Sequence, residues 1–182
     1  MNHKEKLFHY NIALIGFMGT GKSTLAEYLK MTYGMDIVEM DQEIVDQEGM
    51  SIPDIFSSYG EAYFRNLETE LLVRLQSREN TVISCGGGVA MREENVRELK
   101  KNGRIVLLTA SPQTILERVK ENEDRPILNG NKNVEYIAEL MEKRREKYEA
   151  AADVMIWVDE KTVQQISDEM IRKLKELEEI YV

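Results

Sequence analysis

A single cysteine, Cys85, is all the thiol that this chain of 182 residues carries. No disulfide can close within it, which fits a reducing compartment. No apolar run approaches the length of a membrane span. The opening stretch, Met1 to His9, is polar and too short for a signal or transit peptide. The expectation is a cytoplasmic protein with no membrane partner. Net basic charge is missing as well: 24 Lys and Arg stand against 33 Asp and Glu, a formal net charge of −9. Proteins whose main partner is DNA or RNA are normally basic, so nucleic acid is not an expected partner. Internal repeats and low-complexity linkers are absent, and the length suits one domain over residues 1–182. A chain this acidic repels anions at long range, so any anionic ligand must be met by a local cluster of basic groups.

What is present begins with Gly16-Phe17-Met18-Gly19-Thr20-Gly21-Lys22-Ser23-Thr24, which fits the phosphate-loop pattern G-x-x-x-x-G-K-[ST] at each fixed position. Its context fits too. Ile12 to Ile15 reads as a buried strand, and Ser23 to Tyr33 reads as a helix with Leu25, Tyr28 and Leu29 on one face. Glycines let successive backbone N–H groups point into one hollow, and the helix N-terminus adds partial positive charge there. Lys22 would neutralise the outer phosphates of ATP, and the Ser23 hydroxyl would complete the shell of a Mg²⁺ ion. The loop residues Gly19, Thr20, Gly21, Lys22, Ser23 and Thr24 are therefore the expected ATP-binding set.

Short apolar runs recur along the chain at Asn11–Ile15, Asp36–Glu39, Thr81–Ser84, Arg104–Thr109 and Val154–Val158. Between them lie helical patterns. Glu61–Gln76 spaces Leu67, Leu71, Leu72 and Leu75 for one face. Glu93–Lys101, a helix opened by Ser111-Pro112, Val134–Ala150 and Thr162–Glu179 come after it. Strands alternating with helices predict an α/β fold, an open parallel sheet covered on both faces. Ligands of such sheets bind beyond the carboxyl ends of the strands. The phosphate loop, Asp41 and Gly86-Gly87-Gly88 each follow a strand, so they should meet on one rim. The polar, turn-rich stretch 121–133 reads as a mobile lid that carries Arg125. Trp157 in the last strand reads as core packing, Cys85 as a small buried apolar residue, and His3 and His9 as tail residues.

A phosphate loop says that a nucleotide binds; the acceptor has to be argued from other residues. Asp41 is either an N-cap for a helix starting near Gln42 or a carboxylate that orients the acceptor hydroxyl and takes its proton. Arg65 and Glu68, three apart in a helix, are either a surface ion pair or a guanidinium fixed for bidentate grip on a carboxylate. Arg144 lies in a basic run, Lys143-Arg144-Arg145, that by itself reads as a solvated helix face. Three consecutive glycines, Gly86 to Gly88, cost chain entropy and suggest close approach of a ligand to the backbone.

Taken in order, these pieces resemble the shikimate kinases. The likeness runs from about Asn11 to about Lys161. It is carried by the phosphate loop, Asp41, Ser51-Ile52-Pro53-Asp54-Ile55-Phe56, Gly60-Glu61, Phe64-Arg65-x-x-Glu68, Gly86-Gly87-Gly88, Asp124-Arg125-Pro126-Ile127-Leu128, and Arg144 four residues before Tyr148. The resemblance implies a three-layer P-loop NTPase fold with a five-stranded parallel sheet and a lid. It implies transfer of the γ-phosphoryl group of ATP, with Mg²⁺, to the 3-hydroxyl of shikimate in aromatic amino-acid biosynthesis; a monomer is the separate expectation for the chain. It assigns Lys22, Asp41 and Arg125 to catalysis, and Arg118, Arg125 and Lys161 to ATP beside the loop. Asp41, Arg65, Gly86, Gly87, Gly88 and Arg144 go to the acceptor. Many members have Asp-x-Asp where this chain has Glu39-Met40-Asp41, so Glu39 would organise Mg²⁺ through water with a longer reach. The family's Arg-x-Pro-Leu-Tyr is here Arg144-Arg145-Glu146-Lys147-Tyr148, which makes Arg145 a second candidate for the acceptor carboxylate. A gluconate or nucleoside monophosphate kinase, and a nucleotide-binding module without turnover, are the alternatives.

Overall fold

The computed structural model describes residues 6–119 and 133–180. Five strands form in it: β1 (Asn11–Ile15), β2 (Asp36–Glu39), β3 (Thr81–Ser84), β4 (Gly103–Thr109) and β5 (Val154–Trp157). They make one sheet in the order β2-β3-β1-β4-β5, and each neighbouring pair is parallel. Parallel neighbours need crossover connections, and helices supply them. In chain order these are α1 (Lys22–Tyr33), α2 (Met40–Glu48), α3 (Ile52–Tyr59), α4 (Glu61–Arg74), α5 (Glu93–Lys101), α6 (Pro112–Val119), α7 (Val134–Ala151) and α8 (Val163–Ile180).

Side chains alternate along a strand, so each central strand feeds two cores. Ile12, Leu14, Val106 and Leu108 enter one, where Leu25 and Leu29 of α1 and Met170 and Leu174 of α8 meet them. Ala13, Ile15, Ile105 and Leu107 enter the other, packed with Leu71 and Leu72 of α4 and Leu99 of α5. The same alternation corrects the expectation for Trp157. In β5 the buried positions are Val154 and Ile156, so Met155 and Trp157 point the opposite way, 42% and 49% exposed at the edge of the sheet.

Helix ends obey local chemistry. Ser51 caps α3 by accepting from the Asp54 N–H, and Ser111 accepts from Thr114 N–H at the start of α6. The helix expected over Glu61–Gln76 is regular to Arg74 and tightens into a 3₁₀ turn at Leu75–Ser77. Asn133, expected at the end of the lid, is the N-cap of α7, its side-chain oxygen accepting from Tyr136 N–H at 2.8 Å. The rest of that stretch, Arg125 included, lies outside the described residues, as does His3.

The strand order also fixes where a ligand can enter. The chain leaves β1 toward β2 on one side of the sheet, while it leaves β3 toward β4 on the other side of β1. The crevice beyond the carboxyl ends of β1 and β3 is the switch point where sheets of this kind take ligands.

Candidate active site

The loop from β1 into α1 has positive φ at Gly16 (141°), Gly19 (77°) and Gly21 (93°). A side chain at Gly16 would in addition strike the Leu108 carbonyl. Gly21 is the N-cap of α1 and has no side chain to cover the first N–H groups of the helix. Those groups, with the helix dipole behind them, make an anion site. Lys22 Nζ donates to the carbonyls of Gly16 (2.9 Å) and Phe17 (3.0 Å), and the Thr20 hydroxyl donates to Phe17 O at 2.8 Å. Arg118 Nη1 donates to Gly19 O at 3.0 Å, which lays its guanidinium along the loop.

A cleft of about 440 Å³ opens here, bordered by Gly19 to Thr24, Glu39, Asp41, Gly86, Gly87, Arg118 and Lys161. Lys161 lies on its rim with Nζ 2.6 Å from Glu169 Oε2. The hydrogen bond from Lys161, aided by Lys173, holds the Glu169 carboxyl below its ordinary range. Ser23 Oγ donates to Glu39 Oε2 at 3.0 Å, so a hydroxyl and a carboxylate stand together at the cleft edge. That donor set suits a hard cation.

Asp41 sits in the first turn of α2, behind the N-cap Glu39. It is therefore not the cap, because the helix begins two residues earlier than the sequence suggested. A Cβ on Gly86 would lie 2.8 Å from Asp41 Oδ1 and 3.3 Å from Glu68 Oε1.

The three glycines prove to be spaces rather than bends. None of Gly86, Gly87 and Gly88 has positive φ. Each makes room for a different side chain: Gly86 for Asp41, Gly87 for Arg144 (3.1 Å from Nη1 to a would-be Cβ), and Gly88 for Arg65, whose guanidinium a Cβ would strike. The sequence suggested close approach of a ligand to this backbone; in the structure the atoms that come close are those of Asp41, Arg144 and Arg65.

Arg65 is held on two sides. Nη1 donates to both oxygens of Glu68 (3.0 and 2.9 Å), and Nε and Nη2 donate to Glu61 Oε1 at 3.3 and 3.2 Å. Burial works against its charge, but the bonds and charges of Glu68 and Glu61 outweigh it and keep the pKa above the ordinary value. Glu68 has a side chain only 1% exposed. Burial pushes its carboxyl above the usual range, against the pull of Arg65. This pair is more than a surface contact.

Arg144 leaves the solvated face that its sequence neighbourhood suggests. Its Nη1 donates to Gly87 O at 3.4 Å, and its guanidinium lies 5.7 Å from the centroid of the Phe17 ring. Arg145 points elsewhere: it is exposed and paired with Glu142 at 2.7 Å. One helical step of about 100° separates their directions, which settles which arginine faces the glycine turn.

Sequence reasoning did not find the partners that fix this turn. Tyr148, one helical turn after Arg144, donates its hydroxyl to Gly87 O at 2.6 Å, and burial raises its pKa, so the phenol keeps its proton. Asn95, fully buried, donates to Val89 O at 3.0 Å and accepts from the Thr69 hydroxyl at 2.7 Å. Spacing gave no sign of either role, since both depend on which helices meet the turn. Cys85, beside it, is buried, and burial drives its thiol far above the range in which a thiolate forms.

The family model and the sequence relatives agree on one family. The shikimate kinase family model matches residues 18–175. A shikimate kinase of Persephonella marina is 42% identical over 165 residues, covering 91% of this chain and 99% of the relative. Among solved structures, a shikimate kinase from Acinetobacter baumannii in complex with shikimate superposes with a TM-score of 0.84. It is 29% identical and covers 92% of this chain and 94% of its own. The enzyme from Aquifex aeolicus is 38% identical at a TM-score of 0.77, with 91% and 96% covered. With the phosphate loop and the glycine turn on one rim of the same sheet, this chain belongs to the shikimate kinase family, whose members are small-molecule kinases that transfer phosphate from ATP to shikimate.

Proposed function

We propose that one kinase domain, acting as a cytoplasmic monomer, moves the γ-phosphoryl group of ATP onto the 3-hydroxyl of shikimate at this rim. The supporting observation is the juxtaposition at the glycine turn. Asp41, Arg144 and Arg65 occupy the spaces left by Gly86, Gly87 and Gly88, and Gly87 itself packs toward the Gly16 carbonyl of the phosphate loop. An acceptor with one carboxylate and several hydroxyls complements two arginines and an aspartate. A nucleotide acceptor would bring a second phosphate against Asp41, which disfavours that reading.

In this reading Arg65 and Arg144, with Gly87, hold the shikimate carboxylate. Asp41 accepts a hydrogen bond from the acceptor hydroxyl and takes its proton as the new O–P bond forms. The bond from the γ-phosphorus to the bridging oxygen breaks, and ADP leaves with that electron pair. Lys22 exchanges its loop carbonyls for phosphate oxygens. Arg125 of the lid stabilises the transferring group, Arg118 flanks the adenine, and Lys161 lies on the rim near it. Positioning and charge stabilisation then account for the rate, with little covalent work for the protein.

The residues present fit a Mg²⁺ ion. Ser23 and Glu39 would hold it, Glu39 through water, and Mg²⁺ commonly keeps several waters and takes few protein ligands. When bound, the ion would neutralise charge on the β- and γ-phosphate oxygens.

Asp41→Asn tests the assignment of the base. The amide keeps size and hydrogen bonding but not proton acceptance. kcat should fall by a factor of about 10² to 10⁴, with shikimate affinity within a few-fold of wild type. Phosphorus NMR of the wild-type product should place phosphate on O3. Unchanged kcat, or phosphate on another hydroxyl, would overturn the assignment.

A further inference from the structure

Phe17 fills an unspecified position of the phosphate-loop pattern, so the nucleotide site gives no reason for an aromatic ring there. In the folded chain its two halves serve different neighbours. The carbonyl accepts from Lys22 Nζ (3.0 Å) and from the Thr20 hydroxyl (2.8 Å), inside the loop. The residue is 2% exposed and belongs to the core that Ile12 and Leu14 enter, and its ring also lies under the Arg144 guanidinium, 5.7 Å from centroid to Cζ. Its other partners in the protein carry no full negative charge: the Tyr148 hydroxyl, and Gly87 O through a long hydrogen bond of 3.4 Å. Arg65, by contrast, has two carboxylates to fix it.

We propose that Phe17 is the positioning residue for Arg144: its ring face seats the guanidinium over Gly87, so that the arginine awaits the acceptor carboxylate. This rests on the reading that Arg144 binds that carboxylate. The physical basis is specific. A guanidinium within about 6 Å of an aromatic centroid is attracted by the ring quadrupole without losing its hydrogen-bond donors. A carboxylate partner in the same place would compete with the substrate for those donors; a ring does not. Leucine could fill the space but would offer no oriented negative face. The consequence is a division of labour between two arginines, one set by anions and the other by an aromatic ring. It also makes a residue of the nucleotide loop a determinant of acceptor affinity.

The test uses the full-length enzyme and four forms: wild type, Phe17→Leu, Arg144→Lys and the double variant. Phe17→Leu should raise KM for shikimate by roughly threefold to tenfold, leaving KM for ATP and kcat within twofold. In the Arg144→Lys background, whose ammonium lacks the planar fork, Phe17→Leu should change KM for shikimate by less than twofold. Phe17→Met, which fills the site with a flexible apolar chain, should behave as Phe17→Leu does. Thermal melting identifies a variant that fails to fold, and Phe17→Met then carries the test in place of Phe17→Leu. Equal rises in both KM values, a rise in KM for ATP alone, or an undiminished effect of Phe17→Leu in the Arg144→Lys background would overturn the proposal. If Arg144→Lys leaves KM for shikimate unchanged, the reading of Arg144 itself fails. If Arg144→Lys raises it while Phe17→Leu does not, only the role of Phe17 fails.

Discussion

Glu68 and Arg65 illustrate how much a single burial decides. From spacing alone they could be an exposed i,i+3 pair, worth a few tenths of a kcal/mol. The Glu68 side chain is 1% exposed, so the pair instead fixes a fork beside the glycine turn. Truncating Arg65 to alanine would strand a buried carboxylate, a loss on the order of 3–5 kcal/mol in stability that would obscure any effect on binding. Arg65→Lys is the cleaner probe. Lysine keeps the charge near Glu68 but cannot offer two parallel N–H groups. We expect KM for shikimate to rise roughly tenfold to a hundredfold, with the melting temperature within a few degrees of wild type and KM for ATP unchanged. Steady-state kinetics with each substrate varied in turn will check this. An unaltered KM for shikimate would mean that Arg65 serves the helix and not the acceptor.

At the scale of elements, the turn after β3 and the turn after β5 are held by different means. In the first, space is the resource. Ala at position 88 would place a methyl group on the Arg65 guanidinium, and neither Arg65 nor the backbone has slack, since Glu68 and Glu61 hold the one and Met91 N–H donates to Gly88 O in the other. Gly88→Ala should therefore cost about 1–3 kcal/mol of stability, as other overpacked sites do. It should also raise KM for shikimate more than KM for ATP. Gly49, which has open space around a would-be Cβ but φ of 67°, offers a contrast: there alanine should strain the helix end and leave both KM values alone.

After β5, Asp159 ties the turn to the start of α6 by accepting from Ser111 N–H at 3.1 Å. Burial acts to raise its pKa, but hydrogen bonds from Ser111 and Thr114 and the charge of Arg118 outweigh it and hold the carboxyl below its ordinary value. A depressed acid stabilises fully above its unfolded pKa of about 3.9 and loses that contribution as pH falls through the lower folded value. Asp159→Asn should flatten the acid limb of a melting-temperature profile below about pH 4, without altering the neutral plateau by more than the lost charge. A wild-type slope in the variant would remove Asp159 from the account.

Elements were also the most legible part of the sequence. Strands that are covered on both faces must be apolar throughout, and β1, β3 and β4 could be read to within a residue for that reason. The edge strand misled: Trp157 in an apolar run looks like core, and only the pairing order reveals that β5 has one covered face. Motifs set by local backbone, such as Gly16, Gly19 and Gly21, were visible because positive φ is a property of the residue itself. The purpose of Gly86 to Gly88 was not. It depends on three side chains arriving from α2, α4 and α7, and no local pattern records their arrival. Arg144 and Arg145 could not be told apart for the same reason, until the rotation of α7 about its axis was known.

On the scale of the whole molecule, a net charge of −9 and an anionic nucleotide call for local focusing. The fold supplies it by bringing Lys22, Arg118 and Lys161 to one cleft from three separate elements and loops, while the helix N-terminus of α1 adds its dipole. Among the described residues no helix is long and apolar enough to cross a membrane. In the proposed reading, the switch-point crevice does for the acceptor what the phosphate loop does for the donor. It places a short run of small residues where charged side chains can close in from the neighbouring helices. The central claim is that these two halves are matched to a polyol carboxylate and to no other acceptor. The measurement that tests it most directly is ADP release with saturating ATP and Mg²⁺, run in parallel on shikimate, gluconate and a panel of nucleoside monophosphates. The account predicts steady release with shikimate and background release with every other acceptor; release with gluconate or a nucleotide at a comparable rate, or none with shikimate, would contradict it.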